Sequence, residues 1–387
     1  MSGKIYFATR LAWRQMIFGK AKLLAAVLGV VFACVLVFMQ LGFLDSLFAS
    51  AASAPLKMKG DLFLVHKQTE AVWRTASYPK RELIRVLGHE EVEAAYPMYI
   101  ALTPFKNPET QTKRTLQIYG YDPDAYLIDD PAIFENRHDL RLSDTALFDR
   151  TSRPEFGPIE ELLSEGPLNV EINNRKLEIL DVFTMGTSFA ADGNIIVSDL
   201  NFQRIFPGRN MEQIDLGVIQ LREGADPLVV KENLGSKMSD SVQLFTQQEL
   251  LEYEQKYWEE GTPIGFIFGF GTAMGLIVGM IIVYQILFTD ITNHLKQYAT
   301  LKAIGYTQGY LIYVVFASAF ILAFLGFVPG LFISLGLYNL AESAIFIPMP
   351  MSTSKILMVF GLISGMCAIS GLLAIQKLRA ANPADMF

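Results

Sequence analysis

The sequence predicts an integral membrane protein with four transmembrane α-helices, one followed after a long interval by three, and a large α+β extracytoplasmic domain between helices one and two. Three observations predict it. Mean hydropathy is +0.31, with 51% hydrophobic and 18% charged residues over 387 positions, too apolar for a soluble chain. Four stretches, 23–44, 261–289, 303–341 and 356–376, contain no Asp, Glu, Lys or Arg. Residues 45–262 carry 22 basic and 36 acidic residues, a net of −14, which leaves +7 for the remainder of a chain whose formal total is −7. That distribution gives no basic surface for nucleic acid, and nucleic-acid binding is excluded as a class.

Each element follows in chain order. Residues 1–22 read as a cytoplasmic amphipathic segment, with Ile5, Tyr6, Ala12, Trp13 and Met16 on one side and Arg10 and Arg14 elsewhere. Residues 23–44 form the first span, since 22 residues at about 1.5 Å each cover the roughly 30 Å of hydrocarbon. A cleaved signal peptide is the competing reading, with small residues near Ala49 to Ala54, but the apolar core is longer than such a segment needs. Lys4, Arg10, Arg14, Lys20 and Lys22 precede this span without an acid, so both termini are expected in the cytoplasm and 45–262 outside. Lys377 and Arg379 agree, and the outer loop from Glu342 to Thr353 has no Lys or Arg.

The 45–262 segment is long enough for its own core. Runs at 61–65, 115–119, 177–180, 194–197 and 216–221 read as strands, and Pro79 to Leu87 and Pro227 to Met238 as helices opened by proline. The polar, Pro- and Asp-rich stretch 121–167 reads as an insertion. Thr246-Gln-Gln-Glu249 is a capping box, and the helix it opens runs toward the second span with Gly261-Thr-Pro263 as the break. With Asp45 to Ala54 extending helix one, two helical stalks are expected; ordinary linkers are the alternative.

Residues 263–289 form the second span, 290–309 a cytoplasmic loop, 310–340 the third span, 341–355 a short outer loop, 356–376 the fourth span and 377–387 a tail. Pro329 lies inside the third uncharged stretch, which reads as one long helix that kinks rather than two spans. In the 290–309 loop, Asp290 is placed to cap a short helix on which Ile291, Leu295 and Tyr298 share a face with Lys302, closed by Gly305. That face is a candidate docking element, with an amphipathic turn lying on lipid headgroups as the alternative. Gly265 and Gly269, and separately Gly271, Gly275 and Gly279, follow the four-residue spacing that lets helices approach closely in lipid, either for an intermolecular or stalk-to-stalk contact or as general packing of a Gly-rich membrane helix.

Catalytic signatures are missing. The sequence has no HExxH, no GxSxG and no GxxxxGK[ST], and His66, His89, His138 and His294 are dispersed. Cys34 and Cys367 both lie in apolar runs, which leaves neither a disulfide framework nor a cysteine zinc site. No catalytic or metal-ligating residue and no cofactor are expected, and the spans lack the buried carboxylates, His or Arg that ion-coupled carriers place at midplane. Energy for any movement must come from a partner.

The topology, with Tyr298-Ala-Thr-Leu-Lys-Ala-Ile-Gly305 after the second span and Ala381-Asn-Pro-Ala-Asp385 at the end, resembles MacB/LolC/FtsX-type ABC permeases. Ala12-Trp-Arg-Gln15, Tyr119-Gly-Tyr-Asp-Pro-Asp124, Phe148-Asp-Arg-Thr-Ser-Arg-Pro154 and the whole of Asp290 to Gly305 are similar to the cyanobacterial DevC group. The resemblance implies a homodimeric permease in the bacterial inner membrane with DevA-like ATPase subunits that bind the ATP, a DevB-like periplasmic membrane-fusion adaptor and a TolC-like outer-membrane channel. It further implies glycolipid export by mechanotransmission, in which closure on the cytoplasmic side moves the outer domain. An FtsX-like regulator that activates an extracytoplasmic hydrolase is the alternative, and a membrane-anchored enzyme would need an outer active site that the sequence does not offer.

Overall fold

The computed structural model describes residues 2–380; the Ala381 to Asp385 motif and the side chains of Ile5, Tyr6, Lys377 and Arg379 lie outside the described residues. Among the described residues four helices are long and apolar enough to cross a membrane: α2 (Lys20–Lys57), α9 (Pro263–Asn293), α11 (Gln308–Ile345) and α12 (Thr353–Ala380). At 38 residues, α2 and α11 outrun the roughly 20 that hydrocarbon requires. Pro329 sits inside α11 without ending it. In lipid the helix cannot surrender its other backbone hydrogen bonds to water, so it stays continuous past the proline.

Contacts divide the chain into two units, a membrane unit (residues 1–45, 264–344 and 349–387) and an outer unit (46–263 and 345–348). The membrane unit also holds α1 (Ser2–Phe18) and α10 (Leu295–Ala303). On α1, Ala12, Gln15 and Met16 are buried at helical spacing, while Trp13 is exposed, against the grouping read from the sequence.

The outer unit is α+β. Its strands are β1 (Leu62–His66), β2 (Tyr78–Pro79), β3 (Val92–Lys106), β4 (Lys113–Tyr121), β5 (Thr145–Asp149), β6 (Leu168–Ile172), β7 (Arg175–Phe183), β8 (Asn194–Ser198), β9 (Gln213–Ile214), β10 (Leu216–Leu221) and β11 (Val242–Thr246). The main sheet runs β11-β1-β10-β3-β4-β8-β5-β7-β6, and β6 also pairs back onto the end of β3. The 15-residue β3 organises it: residues 92–98 pair with β10, and 99–106 pair with β4. Helices α3 (Lys80–Val86), α4 (Pro131–Glu135), α5 (Ile159–Glu165), α6 (Asp199–Ile205), α7 (Pro227–Gly235) and α8 (Gln247–Glu260) complete the unit.

One apolar cluster joins Leu83 and Val86 of α3, Phe202 of α6 and Val230 of α7 to the sheet; a second holds Phe63, Met98, Tyr119, Leu147 and Leu250. The stretch 121–167 is not a separate insertion. It supplies β5, which lies between β8 and β7 with all five residues buried, so the sheet cannot form without it.

Candidate coupling site

The segment after α9 is built differently from the sequence expectation. Asp290 does not open a new helix; α9 continues through it to Asn293, and the break falls at His294, whose ring Nδ1 lies 2.9 Å from the Asp290 carbonyl and 3.3 Å from its carboxylate. Gly305 closes the segment at φ +102°, a conformation that glycine adopts without the Cβ penalty. Ile291 and Tyr298 are buried at 1% and 3% exposure, and the Tyr298 hydroxyl donates to Gln15 Oε1 of α1 at 3.1 Å. Leu295 is half-buried and Lys302 exposed. Tyr298 therefore holds α10 against α1, and neither it nor Ile291, which lies on α9, is free to dock a partner. The side it leaves outward ends in Ile304 and Tyr306, 71% and 43% exposed, with Tyr306 resting on the ring of Tyr310 at 4.8 Å. Two apolar side chains flanking a left-handed glycine were the signal available in the sequence for this surface.

The glycines of α9 face two ways. A Cβ at Gly271 would fall 2.5 Å from the Gln40 side chain, at Gly275 3.3 Å from Leu36, and at Gly279 2.5 Å from Ala33. These three let α9 lie against α2 within one chain. Gly269 meets nothing within 4 Å and is exposed, as are Phe266, Ile267 and Phe270; Gly265 is half-buried. We expect Gly279→Leu to lower the thermal stability of the detergent-solubilised chain by about 2–3 kcal/mol, as overpacking at a tight crossing does. Gly269→Leu should leave the melting temperature unchanged, and a fall equal to that of Gly279→Leu would refute the distinction.

At the opposite end of the bundle a charged group is buried. Lys355, in the first turn of α12 and 4% exposed, places Nζ 2.8 Å from Asp45 Oδ2, 2.9 Å from the Pro350 carbonyl and 5.2 Å from the ring centre of Tyr338. Tyr338 in turn donates to the Phe38 carbonyl at 2.5 Å and lies directly over Gly42, where a Cβ would collide with its hydroxyl. The ammonium is thus fully paired, which is what its removal from water requires. This cluster clamps α2, α11 and α12 together at the point where α2 leaves the membrane unit. Sequence reading passed over it because Lys355 and Asp45 are 310 positions apart.

Among the described residues of the outer unit, Asp130, Asp149 and Glu254 are buried without a basic partner in an ion pair, Asp130 accepting from the backbone N–H groups of Ala132 and Thr184. Asp149, fully buried, accepts from the backbone N–H groups of Thr151, Met185 and Gly186, from the Thr151 hydroxyl and from the Asn194 amide. Glu254 of α8 is 2% exposed, accepts from the Val72 N–H at 2.5 Å, and is pushed up to about 8 by burial. Among the described residues no three His, Cys, Asp or Glu side chains gather to hold a metal ion.

Residues 269–383 match the FtsX-like permease C-terminal family model. That part of the chain is an FtsX-like permease domain. It takes in α9 from Gly269 onward, α10, α11 and α12, so the coupling segment and the α12 end of the clamp both lie inside it. The expectation of a MacB/LolC/FtsX-type ABC permease is borne out at that level, and so is the fold class of four spans with a large mixed domain between the first and second. FtsX-like permeases are transporter components of the membrane.

Two solved structures are similar to the chain. The periplasmic region of MacB from Actinobacillus actinomycetemcomitans has a TM-score of 0.36 at 10% identity, covering 51% of this chain and 94% of that one. The extracellular domain of the noncanonic ABC-type transporter YknZ from Gram-positive bacteria has a TM-score of 0.32 at 11% identity, covering 48% and 99%. No curated protein sequence gives a significant match.

Proposed function

We propose that the chain is the transmembrane subunit of an ABC exporter of the mechanotransmission type. A separate DevA-like subunit binds and hydrolyses ATP, and the outer unit, moved through α2 and α8–α9, drives an amphiphile, a glycolipid on the DevC likeness, from the periplasm outward through a DevB-like adaptor and a TolC-like channel. Two copies of the chain form the permease. The observation that carries this reading is the FtsX-like permease domain at 269–383 in a chain whose four spans contain no charged residue at mid-depth and whose sequence has no phosphate-binding loop. In this reading both termini are cytoplasmic, which the basic residues before and at the start of α2 support.

Affinity purification of the full chain from its native membrane is the test. Recovery of an ATPase, an adaptor and an outer-membrane channel supports export. Recovery of an extracytoplasmic hydrolase in place of adaptor and channel favours a regulator instead, and ATP hydrolysis by the chain stripped of every other subunit would end the permease reading. Labelling of a cysteine at exposed Glu109 only after cells are opened to the cytoplasm would overturn the orientation.

The docking surface for the ATPase is the outward side of α10 and its exit. Replacing Ile304 and Tyr306 with Asp should abolish co-purification of the ATPase while the chain itself melts normally, because both side chains are already in contact with solvent. Tyr298→Asp should act otherwise, by placing a charge where a buried hydroxyl now bonds to Gln15, at a cost of about 3 kcal/mol in stability. Retention of the ATPase at wild-type level by the Ile304/Tyr306 double variant would show that the segment is a connector only.

A further inference from the structure

We propose that the membrane unit binds one zwitterionic phospholipid, with a phosphate and a primary ammonium in its headgroup, at the end of the bundle that carries α10. A cavity of about 270 Å³ opens there between α1, the start of α2 and the end of α9. Its wall is graded. Its lining includes exposed Lys22 and half-buried Asp290 and, within about one turn of them along the same helices, half-buried Leu23 and buried Ala26 and Leu287. A ligand that satisfies both ends must be an amphiphile lying with its polar part at headgroup depth.

The charges narrow the class. One ammonium, on exposed Lys22, faces one carboxylate, on Asp290, whose oxygen lies 3.3 Å from His294 Nδ1. A headgroup with an anionic phosphate and a cationic amine complements that pair, whereas a purely anionic headgroup complements Lys22 but brings no cation to Asp290. A quaternary amine has the charge but no N–H to donate to the carboxylate, so a primary ammonium is preferred.

A second observation points into the same cavity. Gln15 lines it at 8% exposure; its Oε1 accepts from Tyr298, while its Nε2 has no hydrogen-bond partner among the described residues. An unpartnered amide N–H on a buried residue that lines a cavity is satisfied when a ligand brings an acceptor within its reach, and ester or phosphate oxygens supply one.

The experiment uses the full chain in mild detergent, titrated with phosphatidylethanolamine, phosphatidylcholine or phosphatidylglycerol and read by native mass spectrometry. We expect one phosphatidylethanolamine retained per chain, about tenfold in preference to either other lipid. Lys22→Gln, at an exposed position, should cut that retention about tenfold without moving the melting temperature. Asp290→Asn should shift the preference to the anionic lipid. Equal retention of the three lipids, best retention of phosphatidylglycerol by the wild-type chain, or unchanged retention by Lys22→Gln would each overturn the proposal. Should Asp290→Asn fail to fold, the Lys22→Gln comparison decides alone.

Discussion

Replacing Asp149 with Leu is expected to cost the outer unit about 5 kcal/mol and, at the 2–4 °C per kcal/mol of a domain this size, to lower its melting temperature by about 10–20 °C. The carboxylate is fully buried and serves five donors, three of them backbone N–H groups, at distances of 2.5 to 3.1 Å. Once a leucine fills the space, the N–H of buried Met185 is left with its full desolvation penalty and that of half-buried Gly186 with part of it, while exposed Thr151 can turn to water. The consequence extends beyond β5. Met185 and Gly186 begin the loop that leads to β8, and Thr187 in that loop donates to the Phe346 carbonyl at 2.8 Å, which fastens the segment Ile345–Pro348 to the outer unit. Limited proteolysis should therefore cut near residues 184–193 in the variant before any other site. Asp149→Asn, which keeps one acceptor oxygen but turns an amide N–H toward other donors, should fall between wild type and Leu. A loss below about 1 kcal/mol for the Leu variant would mean that the loop finds other acceptors.

How far the sequence reveals this architecture depends on whether a signal is local. The spans were legible because burying a charge in hydrocarbon is costly over the whole length of a helix, which leaves gaps such as 261–289 that cannot be mistaken. Strands β1, β4, β7, β8 and β10 show as short apolar runs, whereas β3 is hidden by Pro97 and Pro104, residues that read as strand breakers. They are tolerated in a long strand that changes partners between them, from β10 to β4. β5 was lost for another reason: buried throughout, it shows no alternation, and it sits in a stretch whose composition reads as loop. The coupling segment fails differently again. An apolar face on a short helix can be recognised from spacing, but the spacing does not say what covers it; here α1 does, through Gln15, and the outward surface passed to Ile304 and Tyr306. Asp45 with Lys355, and Asp149 with its loop, depend on contacts between distant parts of the chain and left no local pattern.

Glu254 is the remaining case of a long-range environment overriding a local expectation, and it makes the stability of the outer unit depend on pH. On α8, the helix that the Thr246 capping box opens, Glu254 points inward beside Trp258, with Trp258 stacked on Trp73 at 6.1 Å and the Val72 N–H bonded to the carboxyl. Burial dominates and raises its pKa to about 8, above the ordinary 4.5, with the Val72 hydrogen bond opposing the shift. Because the folded state holds the proton more tightly than the unfolded chain, this contribution to stability is present in full below the ordinary pKa. It declines as pH rises through the window to about 8 and is gone above it. Across that window the loss sums to about 5 kcal/mol at roughly 1.4 kcal/mol per pH unit. Glu254→Gln keeps an acceptor for Val72 and has no proton to lose, so the variant should be less pH-dependent than wild type from pH 5 to 8 and more stable than it at pH 8. Thermal melting of the full chain followed by tryptophan fluorescence reads this directly, since Trp73 and Trp258 line the same small cavity as Glu254. Identical pH profiles for the wild type and Glu254→Gln would show that the carboxyl ionises in the folded protein without cost.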